Sequence, residues 1–295
     1  MAKKDSLKQQ KFMSFMFRGK EIFKPLNTGH IDERVSCIRE YVANIYFYSK
    51  DGYTIMIDAG YNYDRLAEKM RWLDIRPESI SEIIITHQDT DHVGAIEVDS
   101  QGLFKTAKIY VGRVENEYLE GRVRRKVYWG LYKLPQVPIE NDKTLIEDGE
   151  IFYIHDIKIE AFLVPGHTWG HLVYLIDDAY LFTGDTIWFG ADGGYAFLNT
   201  LAEDRKLQSV SLKRLEEKLR KRNLSLKIIT GHTGWTDNFD FAFRHVDEIC
   251  NALRRKPKVQ DPKAPFDGFD ESDDTEEKAR TVILEKCSMN TISSQ

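Results

Sequence analysis

Residues 42–48 alternate apolar and aromatic side chains, Asp51-Gly52 is a hairpin-turn signal, and residues 53–57 resume the strand pattern up to Asp58. Leu66, Met70 and Leu73 give residues 63–73 helical spacing, and residues 81–86, with Ile83, Ile84 and Ile85 in succession, read as a buried strand. Short helices around a strand at 108–111 are expected in residues 93–120, and Pro135 and Pro138 then mark an irregular connection. Strands follow at 144–146, 151–154 and 157–164, and residues 172–176 and 180–182 form another hairpin, turned at Asp177-Asp178. A helix over 207–222, with Leu212, Leu215 and Leu219 on one face, leads to a strand at 225–230, and residues 241–253 read as a last helix. The second half therefore repeats the order of the first: hairpin, helix, strand. Such a duplication points to two mixed halves with their sheets inside and helices outside. We expect one domain over residues 20–255 and a C-terminal tail over 256–295. The tail carries Pro257, Pro262, Pro265 and an acidic run at 270–277, and is expected to be mobile in large part, with at most a short element at 281–284.

At 295 residues the chain is long enough to bury a sizeable core, and 42% hydrophobic content is ordinary for a globular protein. A net charge of -5 gives no overall pull toward nucleic acid or anionic membrane, so neither is an expected partner. Cys37, Cys250 and Cys287 form no C-x-x-C pair and are too scattered for a disulfide framework or a cysteine metal site. Lys3, Lys4, Lys8 and Lys11 precede an apolar stretch at 12–17 that Ser14 interrupts, shorter than a secretory core segment. No apolar run approaches a membrane span, and a cytoplasmic location is expected.

Candidate chemistry sits where the strands stop. Directly behind the triple isoleucine comes His87-Gln88-Asp89-Thr90-Asp91-His92, four residues of the kinds that bind zinc, iron or manganese. Each has a plain alternative, Asp91 as a helix N-cap and Asp89 as a turn residue. Three more apolar strands end in the same way, in Pro165-Gly166-His167, Thr183-Gly184-Asp185 and Thr230-Gly231-His232. A glycine before each polar residue lets the backbone turn sharply and approach a neighbour closely, as gathering ligands from separate loops requires. One site explains four strand ends better than four independent turns do.

These residues resemble the metallo-β-lactamase superfamily of binuclear metal hydrolases, whose pattern is H-x-H-x-D-H followed by a His, an Asp and a His on later loops. The match runs through His87, Asp91, His92, His167, Asp185 and His232 and covers about residues 42–253. The resemblance implies an α/β (α+β) fold, an αββα sandwich of two mixed sheets flanked by helices. It implies that His87, Asp89 and His167 hold one ion, Asp91, His92 and His232 a second, and that Asp185 bridges them. It further implies a hydrolase in which a metal-bridging hydroxide attacks a small ester, thioester, lactone or phosphodiester, with Asp91 steering the proton. The sequence departs from the pattern at Asp89, where the family usually has His. A carboxylate there makes the ligand set one unit more negative, so two divalent ions are expected, zinc first, with iron or manganese admitted by Asp89. A diiron protein handling O2 or NO, and a metal-binding module without turnover, are the alternatives.

Other residues carry less. His171 is read as a strand or supporting residue, and His30, His155 and His245 have no ligand-like setting. Arg122, Arg124, Arg125 and Lys126, beside Tyr128 and Trp129, are read as a solvated helix face in preference to an anion-binding lip. Trp188, Phe189 and Tyr195, in the loop leaving Asp185 together with Phe197, are expected to help wall a pocket for a small-molecule substrate. The aromatic content would equally serve a homodimer interface.

Overall fold

The computed structural model describes residues 15, 23–61, 63–98, 100, 102–249, 270–281 and 283–288. Two sheets face one another. The first has seven strands in the order Gly29–His30, Val35–Glu40, Ala43–Lys50, Tyr53–Ile57, Glu82–Ile85, Lys108–Gly112 and Lys143–Ile146. The second has six, in the order Ile151–Ile154, Ile157–Leu163, Leu172–Ile176, Tyr180–Phe182, Lys227–Thr230 and Gly234–Thr236. Both are mixed: antiparallel hairpins give way to parallel pairing from Tyr53–Ile57 through Lys143–Ile146, and between Tyr180–Phe182 and Lys227–Thr230.

The alternation of side chains along a strand explains the layers. In the triple isoleucine, Ile84 points between the sheets to join Tyr46, Ile57, Tyr174, Phe182 and Ile229. Ile83 and Ile85 point outward, under Leu66 and Met70 of the helix Tyr63–Trp72 and near Leu119 of the helix Arg113–Leu119. On the far side Ile228 and Leu181 meet Leu212, Leu215 and Leu219 of the helix Arg205–Arg220, whose first turn Asp204 caps by accepting from the backbone of Lys206 and Leu207. The result is the expected αββα sandwich. A strand covered on both faces has no solvated side, which is why its sequence is apolar throughout.

The C-terminal part of the chain differs from the sequence reading. In place of a helix over 241–253, a single turn at Phe239–Ala242 leads into a strand His245–Ile249, which pairs in parallel with Gly193–Ala196 to complete a small sheet with Ile187–Gly190; residues 250–253 lie outside the described residues. The free edge of the Gly193–Ala196 hairpin decides the matter, since its backbone groups need partners. The C-terminal segment forms a helix Glu276–Thr281, and Leu284 donates its backbone N–H to His30 on the edge of the first sheet. The stretch at 12–17 lies outside the described residues except Phe15, and among the described residues no helix is long and apolar enough to cross a membrane.

Candidate metal centre

The parallel strands end on one side of the sandwich, and the polar residues behind them converge there, at the carboxyl ends where open α/β sheets place ligands. Two groups form, His87, His167 and Asp185 in one, Asp91, His92 and His232 in the other, each with potential ligand atoms within 4.8 Å of one another. Asp185 touches both: its Oδ2 lies 3.7 Å from His87 Nε2, 3.6 Å from His167 Nε2 and 3.0 Å from His232 Nε2, and its Oδ1 lies 3.3 Å from His92 Nε2. His87, His92, His167, Asp185 and His232 are all buried.

Glycines make this approach feasible. Gly184 has φ +49°, and a Cβ there would stand 2.7 Å from Thr86 Oγ1. A Cβ on Gly231 would stand 2.5 Å from Asp185 Oδ1 and 3.1 Å from the His92 ring.

The remaining contacts fix which nitrogen faces inward. His92 donates Nδ1–H to Asp58 at 2.8 Å, and His232 donates Nδ1–H to the Val42 carbonyl. Asp58 also accepts from the Thr86 backbone N–H and hydroxyl, both at 2.8 Å, which leaves the Thr86 oxygen to accept from His87 Nδ1 at 3.0 Å. In all three rings Nε2 is thereby turned to the centre, and in the neutral ring it is the nitrogen without a proton, as a metal ligand requires. The ring of His171 stacks on His87 with centroids 4.8 Å apart, and its Nε2 accepts from the Asp185 backbone N–H at 3.1 Å, so it steadies two candidate ligands.

The residues fit a divalent cation. Among the described residues, His87 Nε2, His92 Nε2 and Asp185 Oδ1 are buried without a hydrogen-bond partner, a costly arrangement unless another species satisfies them. Charge points the same way. Burial pushes the His92 and His232 imidazoles down, but the carboxylates around them, Asp185 and Asp91 for both and Asp58 for His92, together outweigh it and raise both, and a field that favours a proton there favours a metal ion. Burial, with His92 adding to it, holds His87 well below the ordinary histidine value, in its neutral ligand form. Burial also raises the Asp185 carboxyl, but His232 and His92 overcome it and hold it well below its usual range.

Asp89, expected as a ligand, stands among these residues and meets a partner that the sequence reading did not give it. Its Oδ2 lies 3.2 Å from His167 Nε2 and 3.7 Å from His87 Nε2, as a third ligand would. Both its oxygens, however, are engaged by Arg125, Nε to Oδ1 at 2.9 Å and Nη2 to Oδ2 at 3.1 Å. The extra negative charge expected at this place is met by a guanidinium. Arg125 is itself buried, so the assignment of this arginine to a solvated helix face is corrected: the helix ends at Leu119, and residue 125 enters the site from the loop before the short strand Lys126–Val127. Arg122, by contrast, pairs with Glu117 and Glu120 in solvent.

The aromatic wall is also redistributed. Trp188 lies with Phe23, Val42, Phe197 and Leu198 in a cluster beside the site. Phe189, one residue on, points to the other face, into the outer core against Phe241, while Tyr195 packs against the Trp188 cluster and stacks on His245. The rings that meet the candidate ligands are Phe197, 5.2 Å from His167 and 5.3 Å from His232, and Phe23, 4.8 Å from His232.

Comparison with known proteins shows the family. The model of the metallo-beta-lactamase superfamily matches residues 38–232. The chain belongs to this superfamily. Among curated relatives, a probable polyketide biosynthesis zinc-dependent hydrolase of Bacillus velezensis is 29% identical over 150 residues, 51% of this chain and 56% of that protein. A hydroxyacylglutathione hydrolase of a Shewanella species is 34% identical over 136 residues, 45% of this chain and 43% of that protein. The chain spans about half the length of the curated relatives it matches. A solved subclass B3 metallo-beta-lactamase with an active-site glutamic acid superposes with a TM-score of 0.56 at 16% identity, over 82% of this chain and 92% of that one, a likeness of fold.

Proposed function

We propose that this chain is a metal-dependent hydrolase of small molecules, holding two divalent ions, zinc first, with His87, Asp89 and His167 on one, Asp91, His92 and His232 on the other, and Asp185 between. The observation that carries this reading is the convergence of buried Nε2 and Oδ1 atoms without hydrogen-bond partners. When bound, such ions supply Lewis acidity, which activates a water and polarises a carbonyl or phosphoryl oxygen.

The protein's own groups do the rest. Asp58 and the Val42 carbonyl orient His92 and His232. Phe197 and Phe23 cover the flank of His167 and His232 and keep water from that side. Asp91 is the group suited to carry a proton: its carboxylate stands beside His92 and His232 at the edge of the centre, where it could steer the proton of a water and pass it to a departing alcohol or thiol. Ester, thioester, lactone and phosphodiester all meet this chemistry. The relatives named hydroxyacylglutathione hydrolase support testing a thioester first.

The test is turnover of a panel of these four classes by the metal-loaded protein and its Asp91→Asn variant. Metal retained with turnover down about a hundredfold or more is the expected result. Full turnover by Asp91→Asn would remove its proton-carrying role, and iron with a visible absorption band and no hydrolysis would favour redox chemistry instead.

A further inference from the structure

The Asp89–Arg125 pair is enclosed where two histidines meet. Arg125 has 1% of its side chain exposed and Asp89 12%. Nη2 of Arg125 donates to Asp89 Oδ2 and to the Leu201 carbonyl at 2.5 Å, and stands 3.2 Å from His167 Nε2. Nη1 donates to the Lys126 carbonyl at 3.1 Å, so the guanidinium is held in place from several sides. Gln88 adds a further donor to Asp89 Oδ1 at 2.7 Å. A permanent cation therefore stands beside His167 Nε2, the atom that would face an ion.

At this range in a buried site, charges are weakly screened, and a lone guanidinium would strongly oppose a divalent cation. Asp89 cancels it. Carboxylate and guanidinium together present the neutral charge of a histidine, while a histidine at position 89 facing Arg125 would present a net positive one. We propose that Asp89 and Arg125 act as one charge-compensated unit that sets the metal affinity of the His87–His167–Asp185 subsite, so that histidine at position 89 alone weakens that subsite. The inference rests on the metallohydrolase reading and adds to it a dependence between two residues. Arg125 is a positioning residue here, acting through Asp89 and His167.

The experiment is a zinc titration of chelator-stripped full-length protein against a chromogenic competing chelator, reading the number of ions and the affinity of each. It is made on wild type, Asp89→His, Arg125→Gln and the double variant, with thermal melts of the metal-free forms to certify folding. Asp89→His is expected to lower the affinity of one of the two ions by about tenfold to a hundredfold. Arg125→Gln is expected to tighten that ion, because it leaves the Asp89 charge uncancelled, and the double variant should return toward wild type. An Asp89→His protein that folds and binds both ions at least as tightly as wild type overturns the proposal while leaving the metallohydrolase reading intact. That arm decides even where Arg125→Gln does not fold. A wild type that binds no zinc overturns both.

Discussion

Asp58 shows how much one side chain outside the ligand set can decide. It accepts from the Thr86 backbone, from the Thr86 hydroxyl and from His92 Nδ1–H, and so fixes both the strand end and the tautomer of a candidate ligand. Asparagine would keep the shape but turn an N–H toward His92, moving the imidazole proton to Nε2. Asp58→Asn should therefore weaken zinc binding about tenfold to a hundredfold in chelator competition, with secondary structure unchanged by circular dichroism. Glu115 gives a pH signature. Buried beneath the site, it accepts from the Gln88 backbone and the Thr168 hydroxyl, and burial pushes its carboxyl up to about 8 from an ordinary 4.5. A carboxyl raised on folding stabilises the fold fully below its unfolded value and loses that contribution as pH climbs from 4.5 through about 8. The melting temperature of Glu115→Gln relative to wild type should thus rise between pH 5 and pH 9; a difference flat with pH would contradict the burial account. The candidate ligands were legible because each is a His or Asp directly behind an apolar run. Asp58 and Arg125 were not, because their partners lie 34 and 36 residues away in sequence and only the fold brings them together.

Strand ends are the elements that build the centre, and their glycines are its tightest points. Gly231→Ala would press a methyl group against Asp185 Oδ1 and the His92 ring, both at the junction of the two candidate subsites. We expect zinc affinity to fall about tenfold or more while the metal-free protein still melts cooperatively, measured by chelator competition and calorimetry. Elements set by their own pattern were read correctly: the hairpin Leu172–Ile176 with Tyr180–Phe182 is apolar throughout, and the helix Arg205–Arg220 shows its leucine stripe. Elements set by a distant partner were not. His245–Ile249 is a strand because the hairpin Gly193–Ala196 offers it an edge, and the same hairpin looked like a loop because glycines weaken a strand pattern.

Across the whole molecule, the C-terminal segment is tied to the first sheet by ionic contacts that its composition did not foretell. Asp274 accepts from the Thr28 backbone at 2.6 Å and hydroxyl at 2.8 Å, and from Lys69 Nζ at 2.6 Å; Glu271 meets Lys69 at 3.0 Å and Arg65 at 3.1 Å. Lys69 is buried, and without Asp274 it keeps Glu271 and the Arg39 carbonyl while the Thr28 backbone and hydroxyl lose their acceptor. Asp274→Ala should lower the unfolding free energy by ~1–3 kcal/mol in urea titration. A loss under 1 kcal/mol would show that the tail is dispensable to the fold. An acidic run reads as a mobile tail when its cationic partners stand some two hundred residues earlier, as Lys69 stands before Asp274. The two-sheet architecture, by contrast, was legible at this scale, because the repeat of hairpin, helix and strand left one way to bury every apolar face.

The most direct test of the metal centre is elemental analysis of full-length protein purified without added metal, alongside its Asp185→Ala variant. Divalent metal in the wild type, largely lost in the variant, is the predicted result, since the Asp185 carboxylate reaches histidines of both candidate groups. Wild-type protein that remains free of metal after supplementation with zinc, iron or manganese would contradict the account.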